Sequence, residues 1–566
     1  MPPRLPTFLR ERLEREQIDP LASRIGRVLR VAQATGLGEG FGGTSARELI
    51  RLVARNGLNV RVLHKLGTLL HPDRVALSDG ERSVTYAQAE KEIGRLANAL
   101  RDRLGVGAGV SVMLATENRV EYLLTWFALL RLGARAAHTS YRLTPAELEY
   151  QVRHARAQVL LVSGESIGVA RQVREAVGSS GPRLVVCGWP SDASRDEFAY
   201  SDLVATGRDE PLPAPSKNAG GSVVYTSGTT GKPKGAVRDF LSFGPGELAR
   251  ILEHLPFRAG EKHAVVAPLY HSAPQAFAIL VTCLGGTIHL LPHFDAESTL
   301  RVLSEQGATS VFLVPTMLRR ILELPADALG RWPVPMLRAI VVGASEFPQA
   351  LREVAIARFG PEVLFDFYGA TELGWVTLIR GDEMLQRPGS VGKPLAGQRI
   401  SVIDEEGREV PTGKVGKIYV RNDQTMAGYL DDPAASSATR RGASVTVDDL
   451  GRVDADGYLY LVGRARDMVK SGGVNLYPAE IEDALHRDPA IQEVAVIGVR
   501  DPEWGESLVA IVVPRGLPFD AKAAEQRARQ QLSSTKVPRR WEVVTELPRN
   551  ATGKVLKTEL RARFSA

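Results

Sequence analysis

The sequence predicts an α/β protein with a large N-terminal domain of several subdomains and a small C-terminal α+β domain. Three observations predict it. A chain of 566 residues is too long for one core and divides into domains. From about residue 75, helical patterns alternate with short apolar runs, as strands joined by crossover helices do. After Arg464 a shorter stretch carries strand and helix patterns of its own.

In chain order, residues 1–70 read as a basic helical extension. Leu5, Phe8, Leu9 and Leu13 recur at helical spacing with Arg10, Arg12 and Arg15 between them, and Ile25, Val28 and Leu29 resume the pattern beyond Pro20. Such a helix docks on its own protein or lies on an anionic membrane surface, and docking is the commoner case. Prolines and seven arginines by Arg30 leave no uninterrupted apolar centre like that of a signal peptide. The expected location is the cytoplasm, with peripheral contact at the inner face of the membrane as the second reading.

Residues 71–465 are the expected large domain. Helical patterns at 87–104 and 119–132 alternate with apolar runs at 110–114 and 159–162, and strand-like runs follow at 222–225, 264–267, 310–314 and 339–342. The longest apolar stretch, 276–291, is interrupted by Gly285, Gly286, Thr287 and His289. It falls short of the roughly 20 residues that span a bilayer and reads as buried core. Residues 466–566 are the expected small domain, with βαβ-like content at 479–485, 494–499 and 508–513.

Hydrophobic residues at 44% and charged residues at 24% are the balance of a soluble globular chain. The net charge of +6, from 71 basic and 65 acidic residues, suits anionic small substrates and requires no nucleic acid. Two cysteines, Cys187 and Cys283, sit in apolar runs and read as buried thiols rather than a disulfide.

The most informative segment is Tyr225-Thr226-Ser227-Gly228-Thr229-Thr230-Gly231-Lys232-Pro233-Lys234-Gly235, directly after a strand-like run. Glycines let backbone amides approach phosphate oxygens, hydroxyls add hydrogen bonds, and lysines neutralise charge, so each residue type suits a triphosphate. A Walker A loop is excluded, because Thr226 stands where that motif needs glycine and Pro233 where it needs Ser or Thr.

The segment resembles the signature of the acyl-adenylate-forming superfamily, which includes acyl-CoA synthetases, luciferases and the adenylation domains of peptide synthetases. Further segments fall in that family's order: Pro268-Leu269-Tyr270-His271-Ser272, Tyr368-Gly369-Ala370-Thr371-Glu372, Asp449-Leu450-Gly451, Gly463-Arg464-Ala465-Arg466-Asp467, and Pro548-Arg549-Asn550-Ala551-Thr552-Gly553-Lys554. The likeness covers roughly residues 70 to 560 and is most like a bacterial fatty acyl-CoA synthetase.

The resemblance implies roles residue by residue. Glu372, with Thr226, holds the Mg²⁺ of ATP, a hard cation that prefers oxygen ligands. Residues Thr226 to Lys232 and Lys234 cradle the phosphates. Tyr368 stacks on adenine, with Asp366, Gly369, Thr371 and the turn Gly343-Ala344-Ser345 along the base. Asp449 accepts the ribose hydroxyls, with Asp448 as the adjacent candidate because the usual Thr-Gly-Asp reads Val447-Asp448-Asp449 here. Arg464 binds ribose or phosphate nearby. Lys554 is the leading catalytic residue, a mobile ammonium that bridges the substrate carboxylate and the α-phosphate. His271 lies near the acyl carbonyl, a satisfied core histidine being the plain alternative. The junction Arg464-Ala465-Arg466 resembles a hinge about which the small lid domain turns, and Gly472 and Gly473 leave room for pantetheine.

The implied function is activation of a medium- to long-chain fatty acid with ATP and transfer of the acyl group to coenzyme A. The alternatives are a fatty acyl-AMP ligase serving a carrier protein, a CoA ligase for an aryl or steroid acid, and a non-catalytic adenylate-binding protein. Amino-acid adenylation is disfavoured because Pro274-Gln275-Ala276-Phe277 carries no aspartate for an α-ammonium. Trp375, three residues after Glu372, is bulky enough to shorten or bend an acyl tunnel. A dinucleotide fingerprint at Gly38 to Gly43 follows an arginine-rich helical pattern instead of a strand, and no serine sits in a G-x-S-x-G elbow.

Overall fold

A computed structural model describes residues 21–37, 65–188, 197–213, 220–226, 233–238, 245–472, 474–549 and 555–564. Ser227, Gly228, Thr229, Thr230, Gly231, Lys232, Gly473 and Lys554 lie outside the described residues, as do the first helical pattern and the glycines from Gly38 to Gly43.

Among the described residues three sheets form. An eight-stranded sheet has a parallel centre, with Ser111–Ala115 between Arg135–His138 and Ala157–Val162, and Gly221–Thr226 beside Arg135–His138. In the largest sheet Thr287–Leu290, Lys262–Val265, Ser310–Leu313, Ala339–Val342 and Leu364–Ala370 run parallel in that order. Gly374–Arg380 then turns back antiparallel and leads to the antiparallel strands up to Leu459–Arg464.

Strands buried on both faces are near-continuously apolar, and Ala339–Val342 and Ser310–Leu313 are buried at every residue, with the Ser310 hydroxyl meeting His263 Nδ1 at 2.9 Å. Helix Tyr86–Leu104 starts in a capping box of Thr85 with Gln88 and stops at Gly105, whose φ of 62° favours glycine. Helix Val120–Leu132 is apolar nearly all round because it belongs to the main core. The 276–291 stretch divides into helix Ser272–Cys283 and strand Thr287–Leu290, both buried. Among the described residues no helix is long and apolar enough to cross a membrane. Cys187 and Cys283 are free and buried.

The helix Leu21–Thr35 docks on the large domain, where Arg27 and Arg30 both pair with Glu253 at 3.1 and 2.8 Å. The five-stranded C-terminal sheet begins at Val469–Ser471 and has its own core. Its long strands Ile491–Asp501 and Gly505–Pro514 are antiparallel, and Gly505–Pro514, helix Ala521–Gln531 and strand Arg540–Val543, which pairs parallel with the first, form a βαβ unit as expected. The three residues between the two long strands suffice for a hairpin, whereas a parallel pair needs a crossover of a dozen or more.

Candidate active site

Open α/β sheets bind ligands beyond the carboxyl ends of their strands. Here Thr226 ends one strand, and Pro268, Val314 and Gly343 follow the ends of three others. Thr226, Pro268 and Val314 line one cavity of about 860 Å³.

Glu372 lies at the centre of its polar side. Thr226 Oγ1 donates to Glu372 Oε1 at 3.2 Å and the Tyr429 hydroxyl donates to the same oxygen at 3.0 Å. The carboxylate is 8% exposed and lines the cavity. Thr226 pairs across the strands with Lys234, so both ends of the segment that contains residues 227–232 stand at this wall. Beneath it Arg238 donates to the carbonyls of Thr371 and Gln424 at 2.8 and 3.2 Å. Burial lowers its guanidinium to about 10, so the group stays cationic at neutral pH. Thr371 Oγ1 lies 3.0 Å from Ser272 Oγ, which couples the glutamate's segment to that of His271.

His271 is set by Asn118. The Asn118 amide donates to the carbonyls of Ala267 and Leu291 at 3.1 and 3.0 Å, and its oxygen accepts from the Leu269 amide at 2.8 Å. That fixes the strand end two residues before His271, whose ring lies 4.3 Å from the Tyr270 ring. Burial lowers the imidazole to about 4, so it is neutral at pH 7. Its Nε2 has no hydrogen-bond partner among the described residues, and the side chain lines the cavity.

Near Arg464, which lines the cavity, the Tyr368 hydroxyl donates to Asp449 Oδ2 at 2.9 Å and Arg464 Nε lies 3.2 Å from Asp449 Oδ1; Tyr368 and Asp449 are themselves not among the cavity-lining residues, whereas Asp448 is. Asp448 takes a left-handed backbone, φ 64°, and pairs with Lys417 at 2.8 Å. Ala344 is also left-handed, φ 69°, and lines the cavity; Gly343 lies so close to Phe367 that a Cβ would stand 2.5 Å from its ring. Gly369 and Thr371 line the cavity as well, and Ser345 is half-buried beside Ala344.

Asp366 departs from its expected place along the base. It is buried, accepts from Arg352 at 2.6 Å, and is not among the cavity-lining residues. Burial raises its carboxyl to about 6 although Arg352 opposes the shift. Gly472 also lies off the cavity, packed so tightly that a Cβ would stand 2.7 Å from the Trp504 ring.

The small domain closes the cavity with Gln492, Glu493 and Arg549. Arg549 forms an antiparallel bridge with Val555, so the stem of the loop that carries Lys554 reaches this cavity. Arg319 of the large domain donates to the Gln492 carbonyl at 3.0 Å, and Glu493 pairs with Arg549 at 3.0 Å. Sequence reasoning missed Tyr429, Arg238 and Asn118. Gly428-Tyr429-Leu430 carries no local signal of its link to Glu372, 57 residues away.

The sequence profile described as AMP-binding enzyme matches residues 69–430, and that of the AMP-binding enzyme C-terminal domain matches residues 480–554. The chain is 33% identical over 503 residues to a feruloyl-CoA synthase of Amycolatopsis sp, covering 88% of this chain and 97% of the relative. It is 32% identical to a medium/long-chain-fatty-acid–CoA ligase of Mycobacterium tuberculosis, covering 91% of each. Its fold is similar to that of an anthranilate CoA ligase solved with anthranoyl-AMP, with a TM-score of 0.81, 28% identity, and 89% and 97% of the two chains covered.

Proposed function

Because this chain belongs to the AMP-binding enzyme family, we propose that it condenses an apolar carboxylic acid with ATP and passes the acyl group from the adenylate to coenzyme A. It is an acid–thiol ligase of the AMP-forming kind. One observation carries the reading. Thr226, at the stem of the phosphate-loop segment, and Glu372 meet at 3.2 Å in a cavity that also holds His271 and Arg464.

The proposed reaction has two displacements. A carboxylate oxygen of the acid attacks the α-phosphorus, the bond to the β-phosphate oxygen breaks, and pyrophosphate leaves. The thiol sulfur of coenzyme A then attacks the acyl carbonyl, the thiol proton is lost, and AMP leaves with the oxygen it gained. Lys234 and Arg464 line the cavity as partners for anionic phosphates, and neutral His271 stands at the wall beside the acid. Lys554 is the proposed bridge between the two reacting groups, from its segment's resemblance and from Arg549 at the cavity wall.

Mg²⁺ is implied by this chemistry, and the residues fit it. Among the described residues both donors to Glu372 converge on Oε1, which leaves Oε2 for a cation, with Thr226 beside it. Among the described residues no cluster of three or more His, Cys, Asp or Glu could cage a metal. That suits an ion bound chiefly through substrate phosphates. When bound, Mg²⁺ would neutralise phosphate charge.

Similarity to the mycobacterial enzyme supports a medium- to long-chain fatty acid as the substrate, and similarity to feruloyl-CoA synthase supports an aryl acid. Incubating the protein with ATP, Mg²⁺ and a panel of acids, with and without CoA, tests the reading by mass spectrometry of AMP and thioester. Thioester that requires CoA and is lost in Lys554→Ala is expected. Adenylate that accumulates despite CoA would favour a carrier-protein acceptor.

A further inference from the structure

We infer that the acid is compact and planar, an aryl or arylalkenoic acid, and that Trp375 sets this limit by closing the acyl end of the cavity. The inference rests on the acid–CoA ligase reading and specifies its substrate.

Four aromatic side chains form a closed ring of contacts at the apolar end. Phe277 and Phe312 lie 5.5 Å apart, Phe312 and Phe367 5.9 Å, Phe367 and Trp375 4.6 Å, and Trp375 and Phe277 4.9 Å between centroids. Phe367 and Trp375 are stacked at 11°. All four are at most 7% exposed, and Phe312, Phe367 and Trp375 line the cavity with Phe277 behind them. Phe277 is backed in turn by the His263 ring at 5.3 Å and the Phe257 ring at 6.2 Å. The wall is therefore two aromatic layers thick, and interiors packed this densely do not yield a channel without a change of residue.

The backbone fixes the wall. Strands Leu364–Ala370 and Gly374–Arg380 pair Phe367 with Leu378 and Tyr368 with Thr377, then shift register so that Trp375 opposes Gly369. Residues opposite one another share a face. The irregularity thus turns Trp375 to the face of Phe367, and Gln424 Oε1 holds the Trp375 amide at 3.1 Å. Gly343 packs against the Phe367 ring so closely that a Cβ there would stand 2.5 Å from it.

The same cavity must also accommodate the nucleotide beside Thr226, Glu372 and Arg464, so the acid receives only a part of it, which this wall bounds at one end. A flat ring can stack on or meet the edges of Phe312, Phe367 and Trp375. A long alkyl chain that runs straight from His271 meets the indole.

The test measures kcat/KM for benzoate, cinnamate, decanoate and palmitate, read as AMP released with CoA present, in the wild type, Trp375→Ala and Trp375→Leu. The wild type is expected to favour an aryl or arylalkenoic acid over palmitate by about tenfold or more, the discrimination a few methylenes command in an apolar pocket. Both variants are expected to shift the decanoate-to-cinnamate ratio about tenfold towards decanoate. Trp375→Leu keeps much of the buried volume and serves if Trp375→Ala fails to fold. A wild type that prefers palmitate would overturn the inference and leave the ligase reading standing. An aryl preference with an unchanged ratio in the variants would overturn the role of Trp375. No AMP from any acid would overturn the ligase reading and this inference with it.

Discussion

The Tyr429 hydroxyl and the Thr226 hydroxyl both donate to one oxygen of Glu372, at 3.0 and 3.2 Å, so a residue from the 428–429 strand orients the carboxylate at the phosphate side of the cavity. Tyr429→Phe keeps the ring and removes the donor. Hydrogen bonds to charged groups contribute about 1.5–3 kcal/mol, so kcat/KM for ATP should fall about tenfold or more. Pyrophosphate release at varied ATP measures this, and an unchanged value would remove Tyr429 from the site.

Asp449 bonds Tyr368 and Arg464, whereas Asp448 pairs with Lys417 and lines the cavity, so the two neighbours that the sequence left in competition differ in their surroundings. Asp449→Asn should raise the KM for ATP about tenfold, the loss of one charged hydrogen-bonding group. Asp448→Asn, whose partner Lys417 is partly exposed, should change it about twofold or less. The reverse ranking would make Asp448 the ribose ligand.

Arg319 reaches across to the Gln492 carbonyl, and Glu493 ties the small domain's cavity-facing strand to Arg549. Removing the Arg319 guanidinium should loosen the arrangement in which Arg549 lines the cavity. Arg319→Ala is expected to slow adenylate formation about tenfold, a loss of about 1.4 kcal/mol. Thioester formation from supplied acyl-adenylate should stay within about twofold. Equal losses in both steps would contradict a role specific to this arrangement.

Burial lowers His138 and His263 to about 3 and His271 and His289 to about 4, each from an ordinary value near 6.5. The unfolded chain therefore takes up these protons first as pH falls, and their contribution to stability is full above about 6.5 and declines towards about 4 for His271 and His289 and about 3 for His138 and His263. By pH 5 each site should cost on the order of 1–2 kcal/mol. Thermal unfolding at pH 7.5, 6 and 5 should show a falling Tm, and a Tm constant to pH 5 would contradict neutral buried imidazoles.

The parts of the fold legible in the sequence are those where burial itself writes the pattern. Strand Ala339–Val342 sits where its apolar run predicts, and helix Tyr86–Leu104 starts one residue before the predicted position, at a cap that the sequence also carries. The antiparallel pairing of Ile491–Asp501 with Gly505–Pro514 was hidden because the Pro502-Glu503-Trp504 connection lacks the usual hairpin dipeptides. Glu372 and Thr226 were singled out through the likeness of their segments, in order, to those of a known family. Tyr429 was not, because its contact with Glu372 spans 57 positions and depends on the strand that pairs with Lys234–Arg238. Asp366 looked available, yet its partner Arg352 comes from a helix whose approach no local pattern reveals. The bulk of Trp375 was evident, while its placement against Phe367 depends on a register shift between two strands.

The central claim is that the acid's own carboxylate oxygen attacks the α-phosphorus. Turning over an acid labelled with ¹⁸O in both carboxyl oxygens, with ATP, Mg²⁺ and CoA, and weighing the products tests it directly. The account predicts one labelled oxygen in AMP, none in pyrophosphate, and one retained in the thioester. Unlabelled AMP, or release of ADP with the label in inorganic phosphate, would contradict it.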